Sequence, residues 1–435
     1  MRVLRNSSEL FIPLPIILSL RGGEILLFTR SSEVVFLNRK GIKQMSILFE
    51  PKSIAQMIVK NRLVRAPTVE KMATDDGDCT PKLMDLYTRL AEGGVGMIIT
   101  GGAYTQRNGK GLPKQIGLHR DEVIDGYRQL TERMHRYDVK IVTQLVHTGR
   151  QGTVEVVGET PIAPSAVPNV LGITPIAMSS QQISEAIENF IRAAARAREA
   201  GFDGVEIHAA HGYLIHEFLS PRTNRRQDNW GGSFENRMRF LVEIYQGMRK
   251  HLGSDYPILL TLNANDYLED GLGIDEATLI AERMSSLGID GIDLTAGTWE
   301  THFHMSRGDI PQNYWLYVRA QGEEKEKIGA KLTHTAEEVK FKEAYLLDYA
   351  RTIKKKIQCP LILVGGLRTV RVMEEILSAG PADFISLCRP LIRDPEFPNL
   401  IRRGLAERSS CIHCNLCLTD KPVTCYQMRY RPPHF

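Results

Sequence analysis

Between residues 62 and 403, a short β-branched run gives way to an amphipathic helical run eight times, and that alternation decides the fold class. The strand candidates cover 62–66, 95–100, 140–145, 204–208, 258–262, 291–295, 360–364 and 383–387. Helical spacing follows each of them, over 81–92, 122–137, 182–200, 234–251, 275–287, 341–356, 370–379 and 396–403. Strand–helix repetition predicts a parallel α/β sheet, and eight repeats predict a (β/α)8 TIM barrel. A doubly wound sheet is the competing fold. It is disfavoured because no G-x-G-x-x-G sits between a strand and a helix; Gly271-Leu272-Gly273 follows a loop and lacks the third glycine.

The chain has 435 residues, enough for one barrel of ~250–400 residues or for two to three ordinary domains. The repeat assigns residues 45–410 to the barrel. Residues 1–44 are set apart by an apolar stretch broken at Pro13 and Pro15. They are expected to be an N-terminal extension, disordered or a translated upstream stretch, with little packed structure before Met45. Residues 411–435 form a short Cys-rich C-terminal tail. Lys+Arg 55 against Asp+Glu 51 gives a net charge of +4 with no long basic run, so no nucleic-acid partner is expected. No apolar stretch approaches the ~20 residues of a membrane span, so no membrane is expected either. The seven cysteines are odd in number and clustered, which does not suit a secreted disulfide framework. A reducing, cytoplasmic setting fits them better. A homo-oligomer stays open.

Two loops are long for a compact domain, 146–181 and 296–340. The second carries Trp299, His302, His304, Tyr314, Trp315 and Tyr317, an aromatic content that favours a lid.

The chemistry-bearing residues fall at strand ends, where a barrel builds its active site. Strand four ends in His208, His211 and Tyr213. Two imidazoles beside a phenol suit polarisation of a carbonyl followed by proton delivery to carbon. A pair of hydrogen-bonded histidines bracing a loop is the bland alternative. Strands seven and eight end in Gly365-Gly366 and Cys388-Arg389. Barrels commonly bind phosphate at this pair of loops, so a phosphate-bearing ligand is expected there.

These residues carry a resemblance. The stretch from Gly201 to Pro221, with Asn224, Arg226, Asp228 and Gly231-Gly232-Ser233 after it, resembles the Old Yellow Enzyme family of FMN-dependent NAD(P)H oxidoreductases. Supporting stretches are 61–67, 144–150 and 386–395, and the barrel of 2,4-dienoyl-CoA reductase is a related case. The resemblance implies FMN, with NAD(P)H as co-substrate. It places Ala66, Pro67 and Thr68 along the flavin, Gly102 near the ring and Gln144 at the pyrimidine edge. It places Gly366, Cys388 and Arg389 at the phosphate. It makes His208 and His211 the ligands of a substrate carbonyl and Tyr213 the proton donor, so the implied partner is a small molecule with an activated C=C bond. The asparagine, arginines and acids after Tyr213 are read as a loop brace and helix cap. Two positions depart from the family. Thr261 stands in strand five where the family usually has Arg or Lys, and Val69 follows Thr68 where Thr or Cys is common.

The tail reads C-x2-C-x2-C-x7-C through Cys411, Cys414, Cys417 and Cys425. Four thiolates so spaced can hold a [4Fe–4S] cluster or one Zn²⁺. Relatives of the larger kind carry a cluster just after the barrel. A second reading therefore makes the chain a flavin dehydrogenase or demethylase that passes electrons out through a cluster. A third makes it a flavin-binding barrel without turnover.

Overall fold

A computed structural model gives the fold. It describes residues 46–311, 335–419 and 421–429, positions 326 and 329, and the backbone of four short segments between 17 and 44. Eight strands form the barrel: β1 (Leu63–Arg65), β2 (Met97–Ile99), β3 (Lys140–Val146), β4 (Gly204–Ala209), β5 (Ile258–Asn263), β6 (Gly291–Thr295), β7 (Leu361–Leu363) and β8 (Phe384–Leu387). Each pairs in parallel with the next, and β8 closes on β1. The expected (β/α)8 barrel is what the chain forms.

One helix of matching number follows each strand: α1 (Pro81–Glu92), α2 (Ile124–His135), α3 (Ser180–Glu199), α4 (Phe234–Leu252), α5 (Ile274–Ser286), α6 (Leu347–Lys354), α7 (Val370–Ala379) and α8 (Phe397–Arg402). Local chemistry sets their ends. Thr80 caps α1 with Pro81 in its first turn, and Ser179 with Gln182 forms a capping box on α3. Gly380, at φ 84°, stops α7. Along α3, Ile183, Ala186, Ile187, Phe190, Ala193, Ala194 and Ala197 form the buried stripe.

Strand alternation divides the barrel interior into two layers. Val64, Met97, Ile99, Val142, Leu259, Ile362 and Phe384 pack with Ile54, Met57 and Val59 into an apolar floor. The last three come from an antiparallel hairpin, Lys52–Ile54 with Met57–Val59. Above this floor the inward residues turn polar: Gln144, Glu206, His208, Thr261, Asn263, Asp293 and Thr295 are all buried. Polar groups can be buried only with partners or ligands, so this mouth is where function is to be sought.

One region differs from the sequence reading. The helix expected from 341 begins at Leu347. Before it, Ala344 takes a left-handed φ of 55° and Tyr345 N–H bonds to Gly365 O at 3.2 Å, which ties this turn to the end of β7. In the N-terminal region, strands Ile17–Leu20, Glu24–Phe28, Val34–Asn38 and Gly41–Gln44 pair antiparallel in order. The runs Ile25-Leu26-Leu27-Phe28 and Val34-Val35-Phe36-Leu37 have the composition for it. The tail packs against the barrel loops. Ser409 N–H bonds to Arg368 O at 2.9 Å, Asp309 N–H to His413 O at 3.1 Å and Val423 N–H to Glu70 O at 3.0 Å. It therefore crosses from the β7 and β6 loops to the loop after β1.

Candidate active site

His208 lies in β4, and its ring stands 5.1 Å from those of both His211 and Tyr213, edge-on to each. Backbone geometry builds this cluster. His211 takes a left-handed φ of 63°, uncommon for a side chain other than glycine. Asn263 of β5 holds it by accepting the His211 N–H at 3.3 Å, and Thr295 of β6 meets His211 Nε2 at 2.9 Å. Gly212, at φ 79°, completes the turn and delivers Tyr213 to the start of the short helix Leu214–Leu219. Trp299, from the loop after β6, packs edge-on at 6.4 Å from the Tyr213 ring, and His302 lies 6.4 Å further on. The expected lid residues at the start of that loop thus reach the site. Tyr314, Trp315 and Tyr317 lie outside the described residues.

Burial sets the charge state. It drives the His208 imidazole far below its usual value, with the neighbouring His211 and His216 acting the same way. It drives His211 to about 3. The Tyr213 phenol moves up by burial, partly offset by Trp299. The site therefore presents two neutral imidazoles and one neutral phenol. A lowered imidazole keeps its neutral form as pH falls, and a raised phenol keeps its proton as pH rises. Dissociation constants of a neutral carbonyl ligand should stay within about twofold from roughly pH 5.5 to 8.5. Titration calorimetry checks this, and marked weakening on acidification across that range would contradict it.

The expected flavin residues lie at the same end of the barrel. Ala66, Pro67 and Thr68 follow β1, Gly102 follows β2, Gln144 sits within β3, and Gly366 and Cys388 follow β7 and β8. Thr68 Oγ1 lies 3.2 Å from Cys388 Sγ and accepts from Arg65 at 2.9 Å, which joins the ends of β1 and β8. A Cβ on Gly102 would meet Val146 at 2.7 Å and Gln144 at 3.4 Å. Gly366 has φ 72°, so both positions require glycine. Arg389 is buried and donates to Arg307 O at 2.9 Å and to Asn415 Oδ1 at 2.6 Å. A polar mouth, glycines at 102 and 366 where the packing leaves no room for a side chain, and a buried guanidinium at the β7–β8 end together fit a flavin phosphate ester. Val69, next to Thr68, offers no side-chain donor, in keeping with its departure from the family.

Sequence reading missed the brace that joins two of these loops. Arg150, after β3, forms a buried ion pair with Glu300, after β6, and also donates to Pro168 O at 2.5 Å. Burial works against the Glu300 charge, and the Arg150 guanidinium overcomes it to hold the carboxyl below its usual range. The partners are 150 residues apart, so no local pattern signals them.

Cys411, Cys414, Cys417 and Cys425 line one cavity of about 210 Å³ together with Arg389 and Arg393. Arg393 donates to Cys425 Sγ at 3.6 Å. Among the described residues, no three His, Cys, Asp or Glu side chains already converge as metal ligands.

The chain belongs to the NADH:flavin oxidoreductase / NADH oxidase family, whose profile matches residues 47–408. That family is FMN-dependent and takes electrons from NAD(P)H. The chain is 36% identical over 373 residues to an NADH oxidase of Thermoanaerobacter brockii, covering 85% of this chain and 53% of that one. It therefore spans about half the length of that relative. It is 36% identical over 360 residues to an NADPH dehydrogenase of Bacillus subtilis, covering 82% of this chain and 95% of that one. Among solved structures, a 2-naphthoyl-CoA reductase complex superposes with a TM-score of 0.75 at 29% identity, over 85% of this chain and 54% of that one.

Proposed function

We propose that this chain passes hydride from NAD(P)H, by way of bound FMN, to a small molecule with an activated C=C bond. The observation that carries this reading is the convergence of His208, His211 and Tyr213, each neutral, at 5.1 Å ring spacings over the polar mouth. Gly366, Cys388 and Arg389 would hold the phosphate, Gln144 the pyrimidine edge, and Ala66, Pro67, Thr68 and Gly102 the ring. FMN, when bound, supplies hydride transfer at its N5. The protein's own part is orientation and charge. His208 and His211 donate N–H bonds to the substrate carbonyl oxygen and hold the negative charge that develops there. Because they are neutral, they bind the oxygen without exchanging a proton with solvent. Tyr213 delivers its phenolic proton to the α-carbon. Trp299 covers one edge of that phenol.

The test is reoxidation without oxygen. Flavin-loaded protein reduced by NAD(P)H should regain its yellow colour on addition of an α,β-unsaturated ketone. Protein that stays bleached with the enone, yet recovers in air, would refute the reading.

A second reading attaches to the tail, because four thiols line one cavity beside Arg389. Their donor chemistry fits a [4Fe–4S] cluster or Zn²⁺ once the sulfurs draw together. An anaerobically purified protein should carry metal in near-stoichiometric amount, and Cys411→Ser should lose it. Electron paramagnetic resonance of the reduced protein separates the cases: a signal supports an electron-transfer cluster, and a silent, zinc-containing protein a structural site. A metal-free protein with intact thiols removes both.

A cytoplasmic location belongs to the same proposal. All seven cysteines are free, which suits a reducing compartment. Among the described residues, no helix is long and apolar enough to cross a membrane.

A further inference from the structure

Two carboxyls stand inside the barrel where nothing among the described residues neutralises them. Glu206 on β4 and Asp293 on β6 occupy inward positions, since their strand neighbours Val205, Ile207, Ile292 and Leu294 belong to the outer core. Glu206 is 0% and Asp293 2% exposed. Strand register sets Gln144 beside Glu206 and Thr261 beside Asp293, so four successive strands, β3 to β6, contribute one residue each. The Gln144 Nε2 amide donates to Glu206 Oε1 at 2.8 Å and to Thr261 Oγ1 at 3.0 Å. Among the described residues, Glu206 Oε2 and Asp293 Oδ1 are buried with no hydrogen-bond partner.

Among the described residues, the surroundings bring no positive charge. Gln144 and Thr261 are uncharged. His208, the next inward residue above Glu206, is held neutral by burial. The remaining strands face the barrel axis with the apolar Val64, Ile99, Ile362 and Phe384 and with the uncharged Ser386. No cation acts on either carboxyl among the described residues. Two ionised carboxylates in such a dry interior are mutually repulsive and unsolvated. A proton on one of the two carboxyls relieves both costs. Burial raises the proton affinity of each, and the Glu206 charge raises that of Asp293 further.

We propose that Glu206 and Asp293 form an acid pair beneath the flavin's pyrimidine edge, coupled to it through Gln144, which holds one proton at rest and takes up a second when the flavin is reduced. This rests on the functional reading above. The step balances. NAD(P)H gives a hydride, two electrons and one proton, to flavin N5 and leaves as NAD(P)+. The flavin thereby gains one negative charge. One solvent proton then forms an O–H bond with the remaining carboxylate of the pair, so the net charge of the barrel interior is unchanged. Hydride departure to substrate reverses it, and the pair returns that proton to solvent.

The decisive experiment is the pH dependence of the flavin midpoint potential in the loaded protein, read beside the spectrum of its reduced form. Near neutral pH, each pH unit should change the reduction equilibrium about 100-fold, or ~59 mV for two electrons, with the reduced flavin in its anionic form. Glu206→Gln keeps an oxygen acceptor for Gln144 but leaves Asp293 alone and already protonated. Its dependence should fall to about tenfold per pH unit, or ~30 mV. A tenfold dependence in the unsubstituted protein, or an unchanged one in Glu206→Gln, would overturn the proposal. Infrared spectroscopy gives a readout that needs no turnover. The protein at neutral pH should show the carbonyl band of un-ionised carboxyls, to which Glu70 and Glu217 also contribute because burial raises them, and the double variant Glu206→Gln, Asp293→Asn should weaken it. An unweakened band in that variant, with enone reduction normal in the unsubstituted protein, would defeat the acid pair while leaving the functional reading intact.

Discussion

Tyr213→Phe should slow reoxidation of the reduced protein by an enone about 10²- to 10⁴-fold, the usual range for a lost general acid. The substitution deletes one hydroxyl and leaves the ring that packs against His208 and Trp299. Stability and flavin binding should therefore hardly change. Reduction by NAD(P)H requires no proton from this phenol, so bleaching should keep its rate. Stopped-flow spectroscopy of the two half-reactions separates the outcomes. Equal slowing of both would mean that Tyr213 positions ligands rather than donating a proton. An unaffected oxidative half-reaction would assign the proton to another group or to water.

The second large effect belongs to the imidazoles. His208→Ala and His211→Ala should each lower kcat for enone reduction about 10²- to 10³-fold, the cost of removing one donor to a developing oxyanion. The two differ in what else they disturb. His208 is set by the strand itself, so its loss removes a donor and leaves a cavity. His211 stands in a strained turn held by Asn263 and Thr295, and alanine would keep that turn's backbone contact but lose the Thr295 bond. The double variant should cost less than the sum of the two, because both donors serve one oxygen. Asparagine at 208 retains an N–H donor and should recover part of the rate. Losses confined to NAD(P)H oxidation would contradict the assignment.

Much of this architecture was legible because its signals are local. Strand and helix periods are set by residues within a few positions of one another. Candidate residues at the ends of strands four, seven and eight follow from the barrel rule alone. What escaped is long-range. The Arg150–Glu300 brace joins two loops that only the closed barrel brings together. The left-handed turn at His211 depends on Asn263 and Thr295, each contributed by another strand. The fold-back of the tail onto Glu70 and the early end of the helix before Leu347 are likewise decided by tertiary contacts. The acid pair had a signal that was passed over. An acid in the middle of each of two otherwise apolar strands, Gly204-Val205-Glu206-Ile207 and Gly291-Ile292-Asp293-Leu294, faces the axis by simple alternation. Thr261 gained its meaning only once both carboxyls were seen beside it without a cation.

The account stands on FMN in the polar mouth, and the absorption spectrum of protein purified without oxygen tests this most directly. The protein, as isolated or after addition of FMN, should show the two visible bands of a bound flavin and lose them on addition of one equivalent of NADH or NADPH. A protein that stays colourless after FMN is added, or whose flavin bands survive excess NADH and NADPH, would contradict it.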